Sequence, residues 1–246
     1  MINETETINK ARKLLKKSAD NQHRLKYYYG PEFFLNKYIN EIKSMIIREY
    51  VLFIYEEARK ISLKHFNNDL NESGLTPSCK KGCSFCCSFP ISVLPFESLL
   101  IEQYVKDNFS NVQKKELKRN LKNTKNRVIK EVGKIQITKS YKEKYYQKDI
   151  KCPFLNESNL CSIYDVRPLS CISYLEFINS SKCQNGNISD SAAAFLDVES
   201  AIRTIVRSGI IAYCEYHKLD SKTYLDRYTG ASQNDYELLP FSVDVH

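Results

Sequence analysis

Residues 76–87 read Thr76-Pro-Ser-Cys79-Lys-Lys-Gly-Cys83-Ser-Phe-Cys86-Cys87, so one short segment carries four thiols in the spacing C-x3-C-x2-C-C. Two local structures would bring these thiols together. If Thr76 caps a short helix with Pro77 in its first turn, all four sulfurs lie on one face. A loop built around Gly82 would bring the four thiols together equally well. Thiolates favour zinc, copper(I) and iron-sulfur clusters, so the segment predicts a soft-metal site.

A second cysteine group follows in Cys152-Pro-Phe-Leu-Asn-Glu-Ser-Asn-Leu-Cys161-Ser-Ile-Tyr-Asp-Val-Arg-Pro-Leu-Ser-Cys171. Its prolines, and the Asn185-Gly186 step just beyond it, predict irregular backbone from Cys152 to Cys183. Such loops can place cysteine sulfurs toward one internal site without the help of a helix or strand. The seven thiols of the two groups exceed the four ligands of one tetrahedral zinc ion or one cubane cluster. One cluster with accessory thiols, two metals and a polynuclear site are all compatible with this number.

Two further cysteines lie outside these groups. Cys214 stands at helical spacing beside Ile210 and Tyr213, so core packing explains it better than ligation does. Cys183 follows the second group closely but has no partner at a diagnostic spacing, and both interpretations stay open for it.

The composition is that of an ordinary globular protein, with 42% hydrophobic and 27% charged residues. The seven glycines are too scattered to build a G-x-G-x-x-G or Walker-type phosphate loop. No uncharged run approaches the ~18 residues of a membrane span. The N-terminal sequence MINETETINKARKLLKK is charged where a secretory signal has an apolar core. We therefore expect a cytoplasmic protein, in a reducing compartment where dense cysteines are more often metal-binding or catalytic than disulfide-bonded.

The net charge of +8 comes from one lysine-rich insertion, at about residues 106–151, which holds 15 Lys and Arg against 5 Asp and Glu. A solvated helical face explains this insertion better than a nucleic-acid stripe does. The reason is that the aromatic residues, including Tyr104 and Tyr141, stand only at its ends. Nucleic acid stays a candidate partner through this segment.

Hydrophobic periodicity predicts a mainly α protein, namely a helical domain with an irregular cysteine-rich metal-binding region. The expected regions are an N-terminal helical region (1–75), a cysteine-cluster region (76–183) that includes the insertion, and a C-terminal helix and tail (184–246), together forming one compact domain. The expected helices are Glu4–Lys17, one long helix from Pro31 to Ile61, the pair Phe96–Asn108 and Val112–Val132, and a last helix from Phe195 to Tyr213 capped by Ser189 or Asp190. Residues 67–74 should end the long helix that begins at Pro31.

The cysteines and their neighbours resemble the bacterial YkgJ-like cysteine-cluster family. The resemblance covers about residues 78–171 and lies in the C-x3-C-x2-C-C segment, Cys152-Pro-Phe-Leu, Cys161-Ser-Ile-Tyr-Asp-Val-Arg-Pro and Cys171. Members often carry Arg directly after the last motif cysteine, where this chain has Ile172. The resemblance implies a zinc- or iron-chelating region whose candidate metal ligands are Cys79, Cys83, Cys86, Cys87, Cys152, Cys161 and Cys171.

Arg167 is the candidate cofactor-binding residue. Four thiolates around zinc(II) or an oxidised cubane leave a net negative centre, and a nearby guanidinium would reduce the cost of burying it. The alternative is that Asp165 and Arg167 merely close the Tyr-Asp-Val-Arg-Pro turn. Tyr164 and Phe154 are expected to pack over the site and shield it from water.

Three functions are compatible with this pattern. The first is a metal-binding protein that holds a 4Fe-4S cluster, or else zinc or iron, with a protein or small-molecule partner that the sequence does not identify. The second is an enzyme, because the cluster is similar to that of flagellin lysine N-methylases; this resemblance implies S-adenosylmethionine and lysine methylation. The third is a zinc-dependent nucleic-acid-binding protein. The four scattered histidines form no ligand motif.

Overall fold

The computed structural model of the protein describes residues 3–133, 138–185, 192–230, 237–243 and 245. Most of them are helical, which confirms the mainly α prediction. The helices are α1 (Glu4–Tyr28), α2 (Pro31–Lys37), α3 (Ile39–Ser44), α4 (Ile47–Ser73), α5 (Pro95–Asn108), α6 (Asn111–Arg127), α7 (Lys139–Gln147), α8 (Leu169–Ile172), α9 (Leu196–His217), α10 (Ser221–Thr229) and α11 (Leu239–Ser242). The short strands are β1 (Ser92–Val93), β2 (Tyr174–Glu176), β3 (Ala192–Ala194) and β4 (Glu237–Leu238).

The chain divides into two compact units. Each unit draws on separated stretches of chain, whereas the sequence suggested boundaries that follow one another along it. Unit 1 comprises Met1–Thr76, Leu94–Phe96 and Ala193–Tyr236, and unit 2 comprises Pro77–Val93, Glu97–Ala192 and Glu237–His246.

Helix α1 of unit 1 confirms the predicted amphipathic helix but is longer than expected. The Asn3 side chain caps its start by accepting a hydrogen bond from the Glu6 amide at 3.2 Å. Beyond Lys17 the apolar pattern lapses, yet the helix continues to Tyr28. Two of the three residues buried there, Ser18 and Gln22, are polar. The Gln22 side chain donates to the Ser62 carbonyl at 3.0 Å and accepts from the Ser62 hydroxyl. A hydrophobic period cannot reveal a buried polar pair of this kind.

The single long helix predicted from Pro31 to Ile61 is wrong, because the chain breaks it into α2, α3 and α4. The backbone leaves helical geometry at Tyr38 (φ −118°, ψ 31°) and again at Met45 (φ −94°, ψ 144°). Side chains from α9 bond the carbonyls near the second break. The Tyr213 hydroxyl donates to the Met45 carbonyl at 3.0 Å, and a His217 ring nitrogen lies 2.8 Å from the Ile42 carbonyl. Tertiary hydrogen bonds thus stabilise a break that apolar spacing does not show.

Two helices meet at the centre of unit 1. Helix α4 ends at Ser73, with Gly74 in the left-handed conformation (φ 66°), so Gly74 is the break and the residues just before it are helical. Helix α9 packs against α4, and an added Cβ at Gly209 would lie 2.7 Å from Cγ2 of Ile54. Cys214 of α9 is fully buried, in agreement with its predicted core role. The caps expected at Ser189 and Asp190 lie outside the described residues.

Unit 2 confirms the predicted helix pair as α5 and α6, with a π-helical turn, Val128–Val132, continuing α6. Strand β1 pairs antiparallel with β4, with Ser92 opposite Leu238. The Leu239 amide donates to the Ile91 carbonyl at 2.8 Å, which ties the C-terminal stretch to this unit. The larger apolar cluster contains Val93, Ile101, Val105, Leu117, Leu121, Phe154, Ile163, Leu239, Val243 and Val245, with Cys152 and Cys161 packed against it.

The lysine-rich insertion forms an amphipathic helix over much of its length. Leu117, Leu121 and Thr124 are buried on one side of α6, whereas Lys118 and Lys122 are exposed. This arrangement agrees with a solvated basic face. In the part of the chain that the structure describes, no helix combines the length and the apolar character needed to cross a membrane.

The contact between Gly209 and Ile54 gives a stability prediction. Gly209→Ala should lower the free energy of unfolding, because overpacking costs about 1–3 kcal/mol, more than the ~1 kcal/mol gained from helix propensity. In an Ile54→Ala background the clash is absent, so the same substitution should be neutral or stabilising. Urea unfolding of the four proteins in this cycle measures the difference. Equal effects of Gly209→Ala in both backgrounds would contradict the packing account.

Candidate metal centre

The first cysteine group lies in a loop rather than in a capped helix. The Cys83 amide donates to the Lys80 carbonyl at 2.9 Å, and Gly82 has a φ of +94°, which glycine adopts without strain. A one-turn 3₁₀ helix, Phe85–Ser88, follows and carries the adjacent cysteines. The loop interpretation is therefore confirmed. The helical alternative is wrong, because Ser78 is held in the loop by its backbone and hydroxyl bonds to the Glu176 carbonyl, at 2.7 and 3.0 Å.

The second cysteine group has the irregular backbone that its sequence predicts. The Leu155 amide donates to the Cys152 carbonyl at 3.1 Å, and Leu155 forms an isolated antiparallel bridge with Cys161. The Asn156 carboxamide closes the intervening turn by accepting from the amides of Ser158 and Leu160, at 3.0 and 2.9 Å. A 3₁₀ turn (Tyr164–Val166) and the single turn of α8 then lead to Cys171.

The two cysteine groups are joined by a backbone hydrogen bond. The Cys152 amide donates to the Cys87 carbonyl at 2.7 Å. Beside this bond, the Lys151 ammonium donates to the Ser88 hydroxyl at 3.0 Å, and that hydroxyl lies 3.3 Å from Asp149 Oδ1. Residues more than sixty positions apart in sequence are thus fixed next to each other. The two cysteine groups therefore converge in the structure.

Six of the seven motif thiols line one cavity, which we call the six-thiol cavity, with a volume of about 50 Å³. Among the described residues, its remaining lining is mainly apolar and includes no Asp, Glu or His side chain. The site therefore offers sulfur as its side-chain donor atom for a metal. The lining thiols are Cys83, Cys86, Cys87, Cys152, Cys161 and Cys171, accompanied by Gly82, Ile91, Ile163, Tyr164, Arg167, Pro168 and Leu239.

Cys79, the seventh predicted ligand, is not among the residues that line this cavity. Its sulfur accepts a hydrogen bond from the Glu176 amide at 3.3 Å. Cys183 is buried in the same neighbourhood, and its pKa is raised to about 11, first by burial and then by the nearby charges of Cys79 and Glu176. Cys79 thus lies near Cys183, the cysteine whose role, as ligand or as core residue, the motif spacing left open.

Four of the cavity thiols, those of Cys86, Cys152, Cys161 and Cys171, have raised pKa values, and the causes differ from one to another. Burial is the main cause for Cys152 and Cys171, and neighbouring thiols add to it. For Cys86 the largest cause is a hydrogen bond with the Cys87 side chain, followed by burial. In the absence of a cation these thiols are therefore protonated at neutral pH. A bound metal reverses that preference, because thiolates rather than thiols are metal ligands.

Arg167 lines the cavity and provides positive charge to it. Its charge lowers the pKa values of Cys86, Cys161 and Cys171, in opposition to the effect of burial. Arg167 Nε also donates to the Tyr164 carbonyl at 3.1 Å, and the guanidinium lies 3.9 Å from the centre of the Tyr164 ring. The two roles considered for Arg167, closing the turn and facing the thiols, are thus compatible in one conformation.

The aromatic residues expected to shield the site occupy two positions. Tyr164 lines the cavity itself, whereas Phe154 is buried in the apolar cluster behind it. The sequence pattern did not single out Ile91 and Leu239, which also line the cavity. No motif marks either residue. Leu239 comes from the C-terminal tail, which is attached to the site by the pairing of β4 with β1 and by the hydrogen bond from the Leu239 amide to the Ile91 carbonyl.

The lining does not yet say which thiols bind a metal. Among the described residues, no three Cys, His, Asp or Glu side chains stand in an arrangement that is ready to hold a metal ion. The assignment of Arg167 and of particular cysteines to a cofactor is therefore a proposal, made below.

Comparison with known families finds one match. Residues 78–191 match the model of the CxxCxxCC family, which is described as "Putative zinc- or iron-chelating domain". The match confirms the resemblance expected from the cysteine spacing and supports metal binding by this segment. Comparisons of the chain with curated proteins and with solved structures give no match.

The raised thiol pKa values predict how stability depends on pH. In the unfolded chain these thiols ionise near their ordinary value of 9.0, whereas in the folded metal-free protein burial keeps them protonated above it. The metal-free protein should therefore lose stability as the pH rises past about 9, by up to ~1.4 kcal/mol per thiol per pH unit. Metal-loaded protein should lose less, because its ligand thiolates carry no proton to retain.

Urea unfolding at about pH 7.5 and 9.5, with and without metal, measures this difference. Cys214, whose pKa burial raises to about 11, should contribute equally to both forms and cancel in the comparison. A metal-free protein that keeps its full stability at the higher pH would contradict the prediction.

Proposed function

We propose that the protein binds iron through cysteine thiolates, as an iron-sulfur centre, starting from the match of residues 78–191 to the model of the CxxCxxCC family. The observation that carries the proposal is the six-thiol cavity, in which two separate cysteine groups present sulfur to one enclosed space. Zinc or iron without sulfide is the competing occupant.

The donor set supports a soft metal. Thiolates are preferred by zinc, copper(I) and iron-sulfur clusters, whereas magnesium, calcium and manganese prefer oxygen ligands. The lining of the cavity contains no carboxylate or imidazole. A single tetrahedral zinc ion would use four of the six thiols and leave two of the cavity thiols without a metal. A polynuclear centre makes fuller use of the sulfur present, and for that reason we favour the iron-sulfur centre.

The proposed ligands come from both groups. Cys83, Cys86 and Cys87 would be contributed by the first loop, and Cys152, Cys161 and Cys171 by the second. Arg167 would offset the negative charge of the thiolates, as its effect on three of their pKa values indicates. Apolar residues of the lining would limit access of water. When bound, an iron-sulfur cluster supplies electron-transfer chemistry, whose potential depends on such charges and on exposure.

The alternative functions gain less support from this cavity. Pockets for cofactor-sized organic ligands measure roughly 300–1,000 Å³. The six-thiol cavity, at about 50 Å³, is too small for S-adenosylmethionine. Lysine methylation therefore stays a hypothesis that requires another surface of the protein. Nucleic-acid binding through residues 106–151 also stays a hypothesis, and it predicts an affinity that falls steeply with salt concentration.

The proposal predicts the properties of protein purified without oxygen. Wild-type protein should be coloured, with broad absorption near ~400 nm, and should contain both iron and acid-labile sulfide. Cys152→Ala should remove most of the colour and iron, because it deletes a cavity thiol. Cys214→Ala is the matched control: Cys214 is a buried thiol of α9 in unit 1, so its loss should leave both unchanged.

Two results would count against the proposal. Colourless protein with stoichiometric zinc would replace the iron-sulfur centre by a structural zinc site. Equal loss of iron in the Cys152 and Cys214 variants would show that the effect comes from general destabilisation rather than from the cavity.

A further inference from the structure

Cys171 reaches the six-thiol cavity from a single helical turn, α8. The first amide of this turn belongs to Leu169, because Pro168 has no N–H. That amide donates to Glu97 Oε1 at 2.6 Å. The amide groups at the start of a helix have no partner within it, so a side-chain acceptor at this point fixes where the turn begins.

A second hydrogen bond holds the same turn from another residue. The Ser170 hydroxyl donates to the Ser92 carbonyl of β1 at 3.0 Å. Within the turn, the Cys171 amide donates to the Pro168 carbonyl at 2.9 Å. The backbone just before Cys171 is thus held at two neighbouring positions, by Glu97 and by Ser92.

Glu97 is well placed to act as a fixed support. It lies in the first turn of α5, and only 2% of it is exposed. The same helix contributes Ile101 and Val105 to the apolar cluster of unit 2, so its position is set by core packing. Burial of a carboxylate is costly unless hydrogen bonds compensate for it. The bond to the Leu169 amide provides such compensation.

The charge of Glu97 does not explain its position. A buried negative charge close to Cys171 disfavours a thiolate there, so electrostatics alone would select a neutral residue. The hydrogen-bond geometry does explain the position of Glu97. Its side chain is long enough to reach the Leu169 amide and accepts a hydrogen bond from it.

From this geometry we infer that Glu97 is a positioning residue for the metal centre: its side-chain oxygen holds the α8 turn so that Cys171 faces the cavity. The inference rests on the proposed function, because it assigns a residue to the support of that same site. The proposed role depends on the acceptor oxygen of Glu97 and on a side chain long enough to bring that oxygen to the Leu169 amide, and not on the negative charge.

Two substitutions separate the effect of the side-chain length of Glu97 from the effect of its charge. Glu97→Asp keeps the carboxylate but shortens the side chain by one methylene, so the oxygen no longer reaches the Leu169 amide. Glu97→Gln keeps the length and an acceptor oxygen but removes the charge. We expect Glu97→Asp to raise the rate of metal loss to a chelator about tenfold or more, and Glu97→Gln to resemble wild type. Asp107→Asn, at an exposed carboxylate of the same helix, is the matched control.

A second readout uses metal-free protein and does not depend on the identity of the metal. Each variant is treated with iodoacetamide, and alkylation is followed for each cysteine-containing peptide by mass spectrometry. In Glu97→Asp, alkylation should accelerate at Cys171 relative to Cys152, because only the α8 turn is released. General loosening or failure to fold would accelerate both cysteines alike, and that outcome would overturn the inference.

The outcomes for Glu97 and for the proposed function can be told apart. If wild-type protein binds neither iron nor zinc, the proposed function is wrong, whatever the variants do. If wild type binds metal and Glu97→Asp retains it as firmly as Asp107→Asn does, Glu97 is not a positioning residue. If Glu97→Gln loses metal while Glu97→Asp keeps it, charge rather than reach matters and the inference is wrong.

Discussion

The hydrogen bond from the Cys152 amide to the Cys87 carbonyl, at 2.7 Å, is the contact on which the rest of the site depends. It joins two segments whose regular structure is limited to single helical turns and an isolated bridge. The lysine-rich insertion between them includes α6, whose Leu117 and Leu121 belong to the same apolar cluster that packs against Cys152 and Cys161. The insertion therefore separates the two cysteine groups in sequence while its core residues support them in space.

Charge imposes the second constraint. Burial favours neutral thiols, and a single guanidinium, Arg167, opposes that effect at three of them. One positive charge does not balance several thiolates, so the cavity is stable either with protonated thiols or with a cation that replaces the protons. Metal binding and proton release are thus coupled in this site. The apolar lining strengthens the coupling, because it offers a thiolate few polar groups that could stabilise its charge.

The sequence offered the loop around Gly82 as one of two local structures, and it predicted the burial of Cys214 from its helical spacing. It failed where tertiary contacts override a local pattern. The break at Met45 depends on a hydroxyl from α9, and the extension of α1 depends on buried polar side chains. Spacing also could not show that Cys79 lies outside the cavity lining, because neighbouring loop residues can point in different directions. Glu97 carries no motif, and its burial together with its bond to the Leu169 amide distinguishes it from exposed acidic residues at helix starts.

The central claim is that both cysteine groups contribute ligands to one shared centre. Metal per chain, measured after anaerobic purification in two variants, tests this claim most directly. One variant replaces the cavity cysteines of the first loop, Cys83, Cys86 and Cys87, with serine, and the other replaces Cys152, Cys161 and Cys171. A shared centre predicts that each variant loses essentially all of its metal. If either variant keeps a substantial share, each loop holds its own metal and the account of a common cavity site is contradicted.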